Sequence, residues 1–115
     1  MEDRELLELA AKAVGYENAE WKEYSNAPPT MTVRYAKPIG GVTGFMWNPL
    51  GDDGHCARME ADLLLRVTFH DGWVSVGHAF FGSDEFCEFF CDHEDRNAAR
   101  RRASTCAAAE IGRTK

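Results

Sequence analysis

Asp52, Asp53 and His55 bring two carboxylates and an imidazole together within four positions. Such a set can hold a divalent metal, or divide general-acid and general-base work between its members. The residues belong to Trp47-Asn48-Pro49-Leu50-Gly51-Asp52-Asp53-Gly54, a stretch dense in residues that fix a backbone. A second explanation needs fewer partners. An aspartate accepts hydrogen bonds from the free amides that open a helix, Pro49 sets φ, and Trp47 packs as an anchor. Capping is complete with one side chain, whereas a metal site needs further ligands, so the structural explanation takes precedence.

Cys87, Cys91 and His93 raise a zinc reading, with Cys56 or His55 as additional donors. Their spacing does not match the close pairs of common zinc modules. If residues 85–91 form a strand, Cys87 and Cys91 stand about 13 Å apart, at roughly 3.3 Å per residue, too far for one zinc ion. Small buried thiols are the simpler expectation. Arg96, Arg100, Arg101, Arg102, Arg113 and Lys115 make the C-terminal segment basic. A solvated helix face is expected there rather than an anion or nucleic-acid patch, because the rest of the chain is acidic. Pairing with the acidic first helix of another subunit is an alternative. His78 continues the alternation of Val74 and Val76 and reads as a hydrogen-bonded histidine at the core edge.

These groups depend on the elements that hold them. Asp3 to Val14 has Leu6, Leu7, Ala10, Ala13 and Val14 at helical spacing, with Gly15 as the stop. Residues 16–29 read as irregular, anchored by Trp21 and Tyr24. Thr30 to Lys37 alternates as a strand, with Met31, Val33 and Tyr35 on one face, and Gly40-Gly41 turns the chain into a second strand, Val42 to Trp47. Asp52 or Asp53 caps a helix over residues 54–62, burying Cys56, Met59 and Leu63 and leaving Arg58, Glu60 and Asp62 to water. Around Asp71-Gly72, a type I′ signal, a hairpin pairs His70 with Trp73, Phe69 with Val74, Thr68 with Ser75 and Val67 with Val76. This register puts Trp73 on the face opposite Phe69 and Val74. Gly82-Ser83-Asp84 then turns into a third strand, Glu85 to Cys91. Asp92 or Asp95 opens a last helix ending near Gly112. Its alanines suit close packing against a sheet carrying Phe69, Phe80, Phe86, Phe89 and Phe90.

Three stretches also resemble a known family. They are Asp3-Arg4-Glu5-Leu6-Leu7-Glu8-Leu9-Ala10-Ala11-Lys12-Ala13, then Trp47-Asn48-Pro49-Leu50 with Asp52-Asp53-Gly54, then Ala107-Ala108-Ala109-Glu110-Ile111-Gly112. In order and spacing they are similar to the phage ABA sandwich domain family, small proteins of bacteriophages and prophages. After Asp-Gly that family usually continues Asp-Ala-Leu-Arg-Leu, whereas this chain has His55-Cys56-Ala57-Arg58-Met59, and the cysteine-rich segment from Phe86 to Cys91 is a further departure from the familiar pattern. The resemblance implies an α/β sandwich and a phage or prophage origin. It brings no catalytic residues.

With 115 residues, 44% of them hydrophobic and 28% charged, the chain suits one domain, residues 1–115, with a single real core. A net charge of −6 disfavours nucleic acid and anionic membranes as partners. The N-terminus is acidic where a signal peptide is basic, so a cytoplasmic location in a bacterial host is expected, with the four cysteines as free thiols. No Walker loop, dinucleotide fingerprint, nucleophile elbow or His-Glu zinc motif occurs, and no cofactor is expected. The expected fold is α+β: a mostly antiparallel sheet of four or five strands against three helices. The expected role is that of a phage accessory protein acting by binding, with Trp47, Asp52, Asp53, His55 and Trp73 as contact residues, Trp73 foremost, and with self-association as one outcome. A metal-binding module or metal-dependent enzyme at Asp52, Asp53 and His55 is the first alternative. A receptor or sponge for a small nucleotide-like ligand is the second.

Overall fold

A computed structural model describes residues 2–23, 25–26, 29–39, 42–78 and 85–115, without the side chains of 35–39 and 42–43. Tyr24, the Tyr35 side chain, the Gly40-Gly41 turn, Phe80 and the Gly82-Ser83-Asp84 turn lie outside this description.

The chain begins with α1, Asp3–Val14, which buries Leu6, Leu7, Ala10, Ala11 and Ala13. Gly15 ends it at φ +96°, a left-handed conformation that glycine adopts without a Cβ penalty, and the Gly15 and Tyr16 amides close back on the Ala11 carbonyl. Residues 16–29 are not wholly irregular: Glu17–Lys22 form β1. Only Ala19 and Trp21 turn toward the core there, and the pairing shifts register between Glu17 and Glu20, so the alternating signal is short and interrupted. The next strands are β2, Thr30–Ile39, and β3, Val42–Trp47. Together they make an antiparallel sheet of order β1-β2-β3.

Helix α2, Asp53–Leu63, leads to β4, Arg66–Phe69, and β5, Trp73–Gly77. Every expected pair across the hairpin is present, from Val67 with Val76 to Phe69 with Val74, and the His70 amide donates to the Trp73 carbonyl. The turn itself differs from expectation. Gly72 has φ +89° but Asp71 does not have a positive φ, so only the second central residue is left-handed. That is the pattern of a type II turn rather than type I′. β6, Glu85–Phe89, pairs antiparallel with β5, and residues Phe90–Asp92 form a single 3-10 turn where a longer strand was expected. The chain closes with α3, Arg96–Arg113, capped by the Asp95 carboxylate on the Ala98 amide.

The architecture is α+β with three helices, but the strands form two three-stranded sheets, not one sheet of four or five. The helices provide the reason. Leu7, Ala10 and Ala11 of α1 and Cys56 and Met59 of α2 pack on Met31, Val33 and Trp47 of the first sheet. Ala99, Ala103 and Ala107 of α3 pack on Val74 and Val76 of the second, flanked by Leu65, Val67, Phe86 and Phe90. Each sheet thus has its own helical cover, and α1 against α3 joins the halves. At Gly112 that approach is so close that a Cβ would strike the Leu9 carbonyl. The expected packing of small residues against large ones holds for Phe86 and Phe90 but not for Phe69 and Phe89, which are 51% and 58% exposed. Phe89 faces outward because it lies opposite Trp73 in the register.

Candidate functional site

The loop from Trp47 to Gly54 is built by its own hydrogen bonds. Asn48 takes the centre: its side-chain oxygen accepts from the Gly51 amide at 3.2 Å, and its carbonyl accepts from the amides of Gly51 and Asp52. The Asn48 amide in turn donates to Nδ1 of His55 at 3.0 Å, which fixes that nitrogen as an acceptor. Asp52 is the helix cap, accepting from the His55 amide at 2.9 Å. That backbone hydrogen bond is the main reason its carboxyl is held below the ordinary aspartate range. Asp53 points elsewhere and meets Nη1 of Arg101 at 2.6 Å, while Nε of Arg101 donates to the Leu50 carbonyl at 2.9 Å. Trp47 is 2% exposed, with the Tyr16 ring edge-on to it at 5.4 Å. The loop therefore brings Asp52, Asp53 and His55 near one another but engages each in a structural bond, and it buries Trp47 in the first core. Among the described residues, no three His, Cys, Asp or Glu side chains stand close enough to hold a metal ion.

Trp73 belongs to the other sheet. Its ring stacks on His70 with centroids 3.8 Å apart and planes 10° from parallel. Nε2 of His70 lies 2.9 Å from Oγ of Ser75. Across the strand pair, Trp73 stands opposite Phe89, and Ser75 opposite Cys87. Successive side chains alternate between faces, so Thr68, His70, Trp73, Ser75, Cys87 and Phe89 all share the face turned away from α3. A half-buried tryptophan, a stacked imidazole and an exposed phenylalanine make that face aromatic. Phe89 was not among the sequence-derived contact residues. Its signal was available in the pairing of β5 with β6, but more residues separate those strands in sequence than separate β4 from β5.

The basic helix departs most from expectation. Arg100, Arg101 and Arg102 do not form a solvated face, whereas Arg96 and Arg113 are exposed. Arg100 grips Glu60 of α2 through Nε at 3.0 Å and Nη2 at 2.5 Å, with side chains only 18% and 11% exposed. Ser104 adds its hydroxyl to the same carboxylate at 2.5 Å, and the Cys56 thiol approaches it at 3.6 Å. Glu60, expected in water, is thus buried and ion-paired. Arg102 meets Asp3 at 2.6 Å, so the acidic partner of α3 is α1 of the same chain. Nζ of Lys115 donates to the Ala13 carbonyl at 2.6 Å. Burial raises the Cys56 thiol to about 12, which makes it inert. Cys87 and Cys91 are exposed, contrary to the expectation of buried thiols, and burial raises the half-buried Cys106 thiol.

Hollows mark the surface of the described residues, two of them near the groups named above. One, of about 330 Å³, lies on the first sheet among Glu20, Lys22, Thr32, Arg34, Phe45 and Met46. The other, of about 350 Å³, lies beside the Asn48–Gly51 loop and is walled by Leu7, Trp21, Met31 and Leu50. No helix among the described residues is long and apolar enough to cross a membrane. No family model, curated protein or solved structure matches the chain.

Proposed function

We propose that this chain is a small bacteriophage or prophage accessory protein that acts by binding in the cytoplasm of a bacterial host, and that its contact surface is the outer face of β4, β5 and β6. The phage assignment rests on the resemblance of the three sequence stretches to the phage ABA sandwich domain family. The binding reading rests on one observation above the others: Trp73, stacked on His70, stands beside the 58%-exposed Phe89 on a face that no helix among the described residues covers. Large aromatic side chains bury much area for little lost conformational freedom and are enriched at the centres of interfaces. The polar groups of the Trp47–Gly54 loop are engaged in capping and ion pairing, so the metal reading has no comparable support. The nucleotide reading requires aromatics and arginines to converge, and the hollow beside Arg34 is of mixed charge, with Glu20 among its walls.

A photo-crosslinking residue placed at position 89 and, as a control, at the exposed Ala61 of α2 tests this in bacterial cells. The expected result is a discrete adduct from position 89, absent from position 61, and lost when Trp73→Ala is added. Equal labelling from both positions, or an adduct indifferent to Trp73→Ala, would overturn the reading.

A further inference from the structure

We propose that the open edge of β4 pairs with β4 of a second copy of this chain, joining two three-stranded sheets into one of six strands about a two-fold axis at Thr68. Hydrogen-bonded pairs alternate along an antiparallel ladder. The bond from the His70 amide to the Trp73 carbonyl makes that pair a bonded one, so the next are Thr68 with Ser75 and Arg66 with Gly77. Val67 and Phe69 therefore direct their N–H and C=O groups away from β5. Strand β4 is the last in its sheet among the described residues, so those four groups form an unpaired template.

Exposed apolar side chains flank the same strand. Leu64, two residues before it, is 79% exposed, and Phe69 at its end is 51% exposed. The charges select a second copy as the occupant. Arg66 begins β4 and Asp71 follows it, and among the described residues neither has an ion-pair partner. The Arg66 guanidinium lies over Gly77 on the outer face, where the Glu85 carboxylate of β6 also reaches, and pairing with a second copy would turn the guanidinium back toward the β4 edge. Antiparallel pairing of two identical strands brings each end of one beside the opposite end of the other. With the axis at Thr68, Val67 of one copy bonds with Phe69 of the other, an aromatic and β-branched pair, and Thr68 meets Thr68. Arg66 then stands opposite His70 of the second copy, next to its Asp71. The edges of β1, β3 and β6 lack this self-complementarity, and β3 carries no charged residue. The β1 edge is disturbed by its register shift, and β6 carries Glu85 and Glu88 with no basic residue.

This inference shares with the proposed function only the choice of the second sheet as the contact layer. Sedimentation equilibrium on the full chain tests it. The wild type is expected to be a dimer. Phe69→Lys is expected to be monomeric with an unchanged far-ultraviolet spectrum. Arg66→Asp and Asp71→Arg should each weaken the dimer on the order of tenfold, and the double reversal should restore it. With Cys87 and Cys91 changed to serine, Thr68→Cys should form an intermolecular disulfide under mild oxidation, because opposed residues at a non-bonded position lie within disulfide range. A monomeric wild type would overturn the proposal, as would a dimer that survives Phe69→Lys. A Thr68→Cys chain that cross-links only to a different protein would give the edge to a foreign strand and likewise overturn self-pairing. In each overturning case the adduct from position 89 remains the separate measure of the binding reading.

Discussion

The two sheets of this protein solve the same packing problem in opposite ways. The first buries Met31 and Trp47 beside Val33 against α1 and α2, and its outer face is largely polar, with Thr32 and Arg34 beside an exposed Met46. The second buries smaller residues, Val74 and Val76, against the alanines of α3, and keeps Trp73 and Phe89 for its outer face. A tryptophan serves each sheet, one as core and one as surface. The difference teaches that aromatic content alone does not mark a core. What matters is the face on which register places the ring, and whether a helix covers that face.

The sharpest way to break this comparison is to remove both tryptophans separately. Trp47→Ala should cost about 3–5 kcal/mol, since it opens a cavity in the first core. Trp73→Ala should cost only about 0.2–1 kcal/mol, the size of a lost cross-strand contact. Urea unfolding of both variants measures the gap, and comparable losses would erase the distinction between the sheets.

Next in size is the clamp between α2 and α3. Glu60→Ala leaves the Arg100 charge nearly buried without its partner and takes an acceptor from Ser104, so a loss of about 3 kcal/mol is expected. Adding Arg100→Met to Glu60→Met should recover most of it, because two apolar groups replace a pair whose desolvation offsets much of its attraction. Failure to recover would show that the pair does more than fill space. Ala103→Leu should then cost about 1–3 kcal/mol by overfilling the seam between α3 and the second sheet. A neutral outcome would mean that this seam is looser than the first core.

The smallest expected effect is at the Asp52 cap, and its mark is pH dependence rather than size. The His55 amide keeps the Asp52 carboxyl below its ordinary value of 3.8. A group with a depressed folded value contributes stability above its unfolded value and loses it as pH falls through the folded one. Asp52→Ala should therefore lower the thermal midpoint modestly at neutral pH, and the gap to wild type should close in acid. A gap that widened on acidification would contradict the cap.

Much of the fold was legible wherever the determining interactions were local. Leu6, Leu7 and Ala10 recur within one helix, and Gly15 stops it. Thr68 and Ser75 find each other because a turn of two residues, Asp71 and Gly72, joins the two sides of the hairpin and a slip of one position would turn every side chain to the wrong face. The cap at Asp52 lies three residues from the amide that it holds. β1 was hidden, because Ala19 and Trp21 are its only inward residues and its pairing is interrupted.

By itself, then, the sequence determined the three helices, the strands of the hairpin, and on which face Trp73 stands, since each follows from periodicity over a few residues. Tertiary structure alone decided that the strands divide into two sheets, that Arg100 spends its charge on Glu60, and that Phe89 and not Trp47 shares a surface with Trp73. Glu60 and Arg100 are 40 positions apart, and a polar helix residue reads as solvated until the facing helix is known. The physical reason is that burial is a property of what lies across the interface, and no short window of the chain contains both sides.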